Sequence, residues 1–134
     1  MGEQENVATL RGAYEAFARQ DIPTVMSAFD ENIDWYSPDE LPIGGRYSGH
    51  DGVMRFMQGL PTVFEELRVE PDEFIASGDR VVVVGHHRGR AKGGPFDVGF
   101  AMVWQMRNGK AVSFREYNDS GKLLKAIEGQ PAAV

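Results

Sequence analysis

The stretches RVVVVGHHRGR (80–90), FDVGFAMVWQM (96–106) and KAVSFREYND (110–119) decide the fold. Each is long enough for a strand and rich in the β-branched and aromatic residues that fit a pleated surface. Gly93-Gly94 separates the first two, and Asn108-Gly109 the last two. Both pairs signal a two-residue hairpin, and Asn-Gly is the stronger because a type I′ turn needs positive φ at both central residues. The three segments therefore read as an antiparallel meander. Just upstream, Leu67, Val69 and Phe74–Ala76 read as an edge strand broken at Pro71, and Ser77-Gly78-Asp79 turns it into residue 80.

The first third has a different period. Val7, Leu10, Tyr14 and Phe17 fall three or four apart and share one helical face. Asp21 caps a second short helix with Pro23 in its first turn. Residues 32–37 alternate as a strand that Pro38 ends, and 38–49, with two prolines and three glycines, reads as a loop. Val53, Phe56, Met57 and Leu60 predict a third helix interrupted at Pro61, and Leu123–Ile127 a last helical turn. Helices and strands are segregated along the chain, so the class is α+β: an antiparallel sheet curved around about three N-terminal-half helices. Sixteen glycines fit that curvature, because several fall at the turns and two, Gly85 and Gly99, inside strands where bulges are expected.

The chain has 134 residues and no cysteine. The length predicts one domain over 1–134, with 129–134 as a flexible tail. Absence of cysteine excludes disulfides, thiolate metal sites and a cysteine nucleophile. Twenty acidic against 14 basic residues give a net charge of −6, which repels nucleic acid. The longest aliphatic run, Val81–Val84, is far short of the ~20 residues of a membrane span. The polar, acidic start is unlike a signal peptide, so a cytoplasmic location is expected. No HExxH, calcium loop, GxSxG elbow or dinucleotide motif is present, and neither a metal nor a cofactor is expected. The adjacent His86 and His87 point to opposite faces of a strand and cannot jointly hold one ion.

The last strand carries polar residues on both faces: Arg115, Tyr117 and Asp119 on one, Glu116 and Asn118 beside Phe114 on the other. One set must face something other than a plain apolar core. Asp119 reads either as a strand-end turn carboxylate before Ser120-Gly121 or as an acid/base group. His87 reads either as a hydrogen-bonded interior histidine or as its partner.

Five segments together resemble the NTF2-like superfamily, in its SnoaL-like branch of polyketide cyclases and ketosteroid isomerase relatives. They are YEAFARQD (14–21), NIDWYSP (32–38), YSGHDGV (47–53), GDRVVV (78–83) and NGKAVSFREYND (108–119). The resemblance implies a cone-shaped, cystatin-like roll: a curved sheet around helices, an apolar pocket, and homodimers packed sheet to sheet. It does not imply one activity. Steroid isomerases of the superfamily use a first-helix tyrosine, an aspartate base and a second, protonated aspartate. The corresponding places here hold Ala13, Ser37 and Met102. Epoxide hydrolase relatives use an Asp–Arg–Asp set, of which only Asp119 matches. Cyclases rely on one carboxylate deep in an apolar pocket, a need Asp119 fits.

The reading is a small apolar, carbonyl-containing ligand, polyketide- or steroid-like, in a cone-shaped pocket. Asp119 removes a proton next to the carbonyl and His87 supports the developing enolate. Tyr117, Arg115 and Tyr36 add donors and charge, and Trp35, Phe17, Phe56, Phe100 and Met102 form the wall. The outcome is cofactor-free isomerisation or aldol-type cyclisation. The alternatives are a non-catalytic ligand-binding or interaction module, and water activation of the epoxide hydrolase kind.

Overall fold

The computed structural model describes residues 2–129; the tail expected at 129–134 lies, from residue 130 on, outside the described residues. The chain runs α1 (Glu3–Ala18), α2 (Ile22–Ser27), β1 (Phe29–Ser37), β2 (Gly45–Ser48), α3 (Gly49–Val63), β3 (Phe64–Ser77), β4 (Arg80–Ala91), β5 (Gly94–Arg107), β6 (Lys110–Asn118) and α4 (Ser120–Glu128). The strands form one curved, open sheet in the order β2-β1-β6-β5-β4-β3. The α+β class is as the sequence implied.

Several local readings change. The sheet is mixed, because β1 returns to lie parallel to β6 while every other neighbour is antiparallel. The 38–49 segment contains β2, which pairs with the end of β1 from Asp34↔Ser48 to Ser37↔Gly45. α3 continues through Pro61, which sits in its last turn, where the missing N–H removes only one bond. β3 is one strand, and Pro71 lies at a register shift within it instead of breaking it.

That shift explains Gly85. Gly85 pairs with Pro71 across the ladder. A Cβ on it would lie 2.2 Å from the Glu70 carbonyl oxygen and 2.8 Å from the Phe100 ring. The bulge on β3 therefore needs the glycine on β4. The Asn108-Gly109 turn has φ of 51° and 77°, the two positive values a type I′ turn requires. The β4–β5 turn is displaced by one residue from the Gly93-Gly94 reading, since Ala91 pairs with Gly94. Gly93 serves close approach: its N–H donates to the Ala126 carbonyl at 2.7 Å, and a Cβ would meet Gly129 at 2.5 Å.

The inward face of the sheet packs against the helices in an aromatic core. Trp35 stacks on Phe114 at 3.9 Å, and Trp104 lies 4.6 Å from Phe114 and 5.5 Å from Phe29. Leu10 and Ile33 are wholly buried there. Each fully buried side chain of this size contributes roughly 1.5–3 kcal/mol. A second cluster of Phe64, Ala91, Val98 and Leu123 fixes α4 across one end of the sheet. No helix among the described residues is long and apolar enough to cross a membrane.

Candidate functional site

Strand parity sets the site. On β6 the inward set is Phe114, Glu116 and Asn118; on β4 it is Val81, Val83 and His87. β1 contributes Trp35 and Ser37, and β5 Met102 and Trp104. Of these, all but Val81 and Val83 join Ala13, Tyr14 and Phe17 from α1 and Phe56, Met57 and Leu60 from α3 in lining a cavity of about 100 Å3. One side is closed by the 38–44 loop through Leu41 and Ile43, another by α4 through Leu123 and Ile127. The loop is tightly coiled: a Cβ on Gly44 would lie 1.8 Å from the Pro38 carbonyl oxygen. Tyr47 Oη also donates to the Ile43 carbonyl at 2.8 Å.

The lining is apolar except at one end. There His87 Nε2 lies 2.7 Å from Glu116 Oε2, both side chains over nine-tenths buried. Asn118 Nδ2 donates to the same Glu116 oxygen, and Ser120 Oγ donates to Asn118 Oδ1. Three buried polar atoms of the lining have no partner: His87 Nδ1, Ser37 Oγ and Trp35 Nε1. Tyr14 differs, since its hydroxyl accepts from Trp104 Nε1 at 3.0 Å and contacts Met102 Sδ at 2.9 Å. Burial pushes the Tyr14 phenol far above its usual pKa. It is a neutral structural group.

The sequence-derived site residues divide by face. His87, Trp35, Phe17, Phe56 and Met102 meet at the cavity. Phe100 is buried behind it, its ring 4.7 Å from the His87 ring. Asp119, Arg115, Tyr117 and Tyr36 are not in the cavity. Asp119 is exposed and caps α4, accepting the Lys122 N–H at 3.3 Å, so it is not the desolvated carboxylate beside His87. The turn reading of Asp119 describes its position. Arg115 lies over the Tyr36 ring at 4.3 Å and the Tyr117 ring at 5.6 Å, on the outward face of the sheet.

Glu116, Asn118 and Ser37 are the polar lining that sequence reading missed. Alternation on β6 left the inward face open because both faces are polar. The discriminating signal was on β5: Phe100, Met102 and Trp104 share one parity, against Ala101, Val103 and Gln105. The bulky face goes inward, and the register Met102↔Glu116 carries Glu116 with it. Among the described residues no group of three or more His, Asp or Glu side chains is placed to hold a metal ion.

The model of the SnoaL-like domain family matches residues 10–114. A search of curated proteins returned no match. An NTF2-like protein of unknown function from Burkholderia pseudomallei K96243 is 39% identical, with a TM-score of 0.87 over 95% of this chain and 98% of that one. TerC, crystallised with polyporic acid, is 31% identical, with a TM-score of 0.88 over 93% and 99%. A Jannaschia sp. CCS1 protein described as a SnoaL-like polyketide cyclase has a TM-score of 0.79 over 96% and 95%; at 20% identity it shares the fold alone.

Proposed function

The chain belongs to the SnoaL-like family, and from that premise we propose that it binds a small, mostly apolar carbonyl compound and moves a proton on it with His87 and Glu116. The observation that carries this reading is the buried 2.7 Å His87–Glu116 pair at the one polar end of an apolar cavity. A histidine held by a carboxylate is oriented for general acid/base work, and the carboxylate stabilises an imidazolium that forms. The pair takes a proton from the carbon next to the ligand carbonyl. The electron pair moves onto the carbonyl oxygen as an enolate. Return of the proton to another carbon completes an isomerisation. Attack of the enolate carbon on a second carbonyl, with the proton passed to the new alkoxide, completes an aldol-type cyclisation. Neither route needs a cofactor.

The cavity volume limits the ligand. About 100 Å3 is less than the ~150 Å3 of an engineered cavity that takes benzene. A ring compound therefore enters with displacement of Leu41 or Ile43. Crystallisation of TerC with polyporic acid supports an organic occupant. The test is exchange of α-hydrogens in deuterium oxide over a panel of cyclic and aryl ketones. Catalysed exchange that is lost in Glu116→Gln supports proton transfer. Saturable binding with no exchange supports the non-catalytic binding module instead.

The proposal extends to a homodimer through the outward face of the sheet. Exposed Ile75, Val84 and Tyr117 lie there, with Val84, Ala101 and Tyr117 in one cross-strand line. An apolar strip on an open sheet is covered most economically by its own copy.

A further inference from the structure

Glu116 is the only carboxylate in the cavity lining, and no lysine or arginine stands beside it there. The other titratable groups of the lining are His87 on β4 and Tyr14 on α1, the second held neutral; α3, α4, β1 and β5 add none. A buried carboxylate is tolerated only where donors replace its lost water. Here both polar contacts meet a single oxygen, as Asn118 Nδ2 and His87 Nε2 converge on Oε2. Oε1 has no hydrogen-bond partner among the described residues, yet it is not one of the fully enclosed polar atoms. It is the oxygen left open to the cavity.

An amide can turn either its nitrogen or its oxygen toward a carboxylate. Only the nitrogen attracts, because an ionised carboxylate accepts and does not donate. Glu116 therefore selects the orientation of Asn118, and Ser120 locks it, its hydroxyl donating to Asn118 Oδ1 at 2.5 Å. Ser120 is buried and is the first residue of α4. The helix is fixed by the Asp119 cap on Lys122 N–H, by the Gly93 N–H on the Ala126 carbonyl, and by Leu123 among Phe64, Ala91 and Val98. The same helix gives Leu123 and Ile127 to the cavity wall.

We propose that Ser120 and Asn118 are positioning residues that clamp Glu116 by Oε2 and aim Oε1 at the ligand, so that the seating of α4 completes the acid/base pair. The inference rests on the proton-transfer site assigned above and adds what holds its carboxylate in place. It also divides the cavity walls. The 38–44 loop yields to a ring compound through Leu41 or Ile43. α4 stays, because lifting it would draw Ser120 off Asn118 and loosen the hold on the Glu116 charge. A reacting group misplaced by about 1 Å forfeits up to about 100-fold in rate.

Two measurements on the full chain test the proposal. The first needs no turnover. A long-range HNCO-type correlation on 13C,15N-labelled protein reads the coupling across the hydrogen bond from Asn118 Nδ2 to the Glu116 carboxylate carbon. The coupling should be present in the parent and in Ser120→Thr, which keeps the hydroxyl, and be weakened or lost in Ser120→Ala. Its absence from the parent, or equal strength in Ser120→Ala, overturns the proposal. The second measurement splits α-hydrogen exchange of cyclohexanone and acetophenone into kcat and KM. Ser120→Ala should lower kcat about tenfold and leave KM within about twofold, the mark of an interaction that acts in the transition state. Ser120→Thr should hold kcat within about threefold of the parent. Asn118→Leu, which removes both amide contacts, should repeat the kcat loss and keeps the test open should Ser120→Ala not fold. An unchanged kcat, or a rise in KM alone, overturns the proposal, since α4 is then a wall and nothing more. A parent with the coupling but no exchange would sink the proton-transfer reading and leave the clamp standing.

Discussion

Nε2 of His87 and Oε2 of Glu116 sit 2.7 Å apart, one on β4 and one on β6, with β5 between them. Met102 of β5 lies opposite Glu116, and Gly85 leaves room beside His87 for the Phe100 ring. Removing one partner of such a pair strands the other in an apolar setting. Glu116→Gln keeps the shape and replaces the charge. We expect it to lower any α-hydrogen exchange by roughly 100-fold or more. Asp119→Asn, outside the cavity and still a good cap, should leave exchange within about twofold. A kinetic comparison of the two variants reads out which carboxylate matters.

Tyr14→Phe should destabilise the protein by about 1–3 kcal/mol, because Trp104 Nε1 loses its acceptor in a buried place. It should also change the alkaline limb of stability. Folding raises the Tyr14 pKa by burial, so its contribution is complete below the unfolded value near ~10. That contribution is lost as pH rises above this value, because the unfolded chain releases the proton first. Denaturant midpoints across the alkaline range should fall less steeply for Tyr14→Phe than for the parent.

On the outward face Asp97 is held below the usual carboxylate range, first by its hydrogen bond with His86 and then by Arg88. Arg88 also reaches Glu70 at 2.7 Å, which ties β3, β4 and β5 together. A depressed carboxylate stabilises the fold above its unfolded pKa of ~3.9. The contribution disappears as pH falls through the folded value. Asp97→Asn should therefore flatten the acid limb. Equal acid limbs in thermal melts of the two proteins would refute this assignment.

Val84→Glu places a charge in the middle of the exposed strip. It should convert a dimer to a monomer in light scattering at micromolar concentration, with the cavity unaffected. A parent that is monomeric throughout, or a variant that stays dimeric, would remove the sheet-to-sheet proposal.

Gly85→Ala should be strongly destabilising, because its Cβ meets the Glu70 carbonyl at 2.2 Å and backbone has little room to yield. Gly12→Ala meets nothing within 4 Å and, inside α1, should gain up to about 1 kcal/mol. Opposite signs in urea unfolding for two Gly→Ala changes check the claim that place decides the role of a glycine.

Local chemistry was legible wherever one residue type has one conformational use. Asn108-Gly109 dictated its turn, Asp21 and Pro23 started α2, and the spacing of Val7, Leu10, Tyr14 and Phe17 set the buried face of α1. Together with the resemblance carried by five segments, these were enough for the α+β class and the curved sheet. Pro71 and Gly85 looked like two separate interruptions because their pairing is a tertiary fact. β2 was invisible because four residues at an edge carry no period.

The sequence by itself determined that β4, β5 and β6 exist, where they turn, and that each β6 face carries polar groups. Which β6 face turned inward was decided by the register with β5 in the tertiary structure. Alternation has a period of two and no sign, so it offers Arg115–Tyr117 and Glu116–Asn118 as equals. The choice came from packing, as the bulky parity of β5 went to the core and took Glu116 with it. Asp119, one residue past the strand, fell to the helix that follows, and His87 was left to find its carboxylate across a strand it does not touch in sequence.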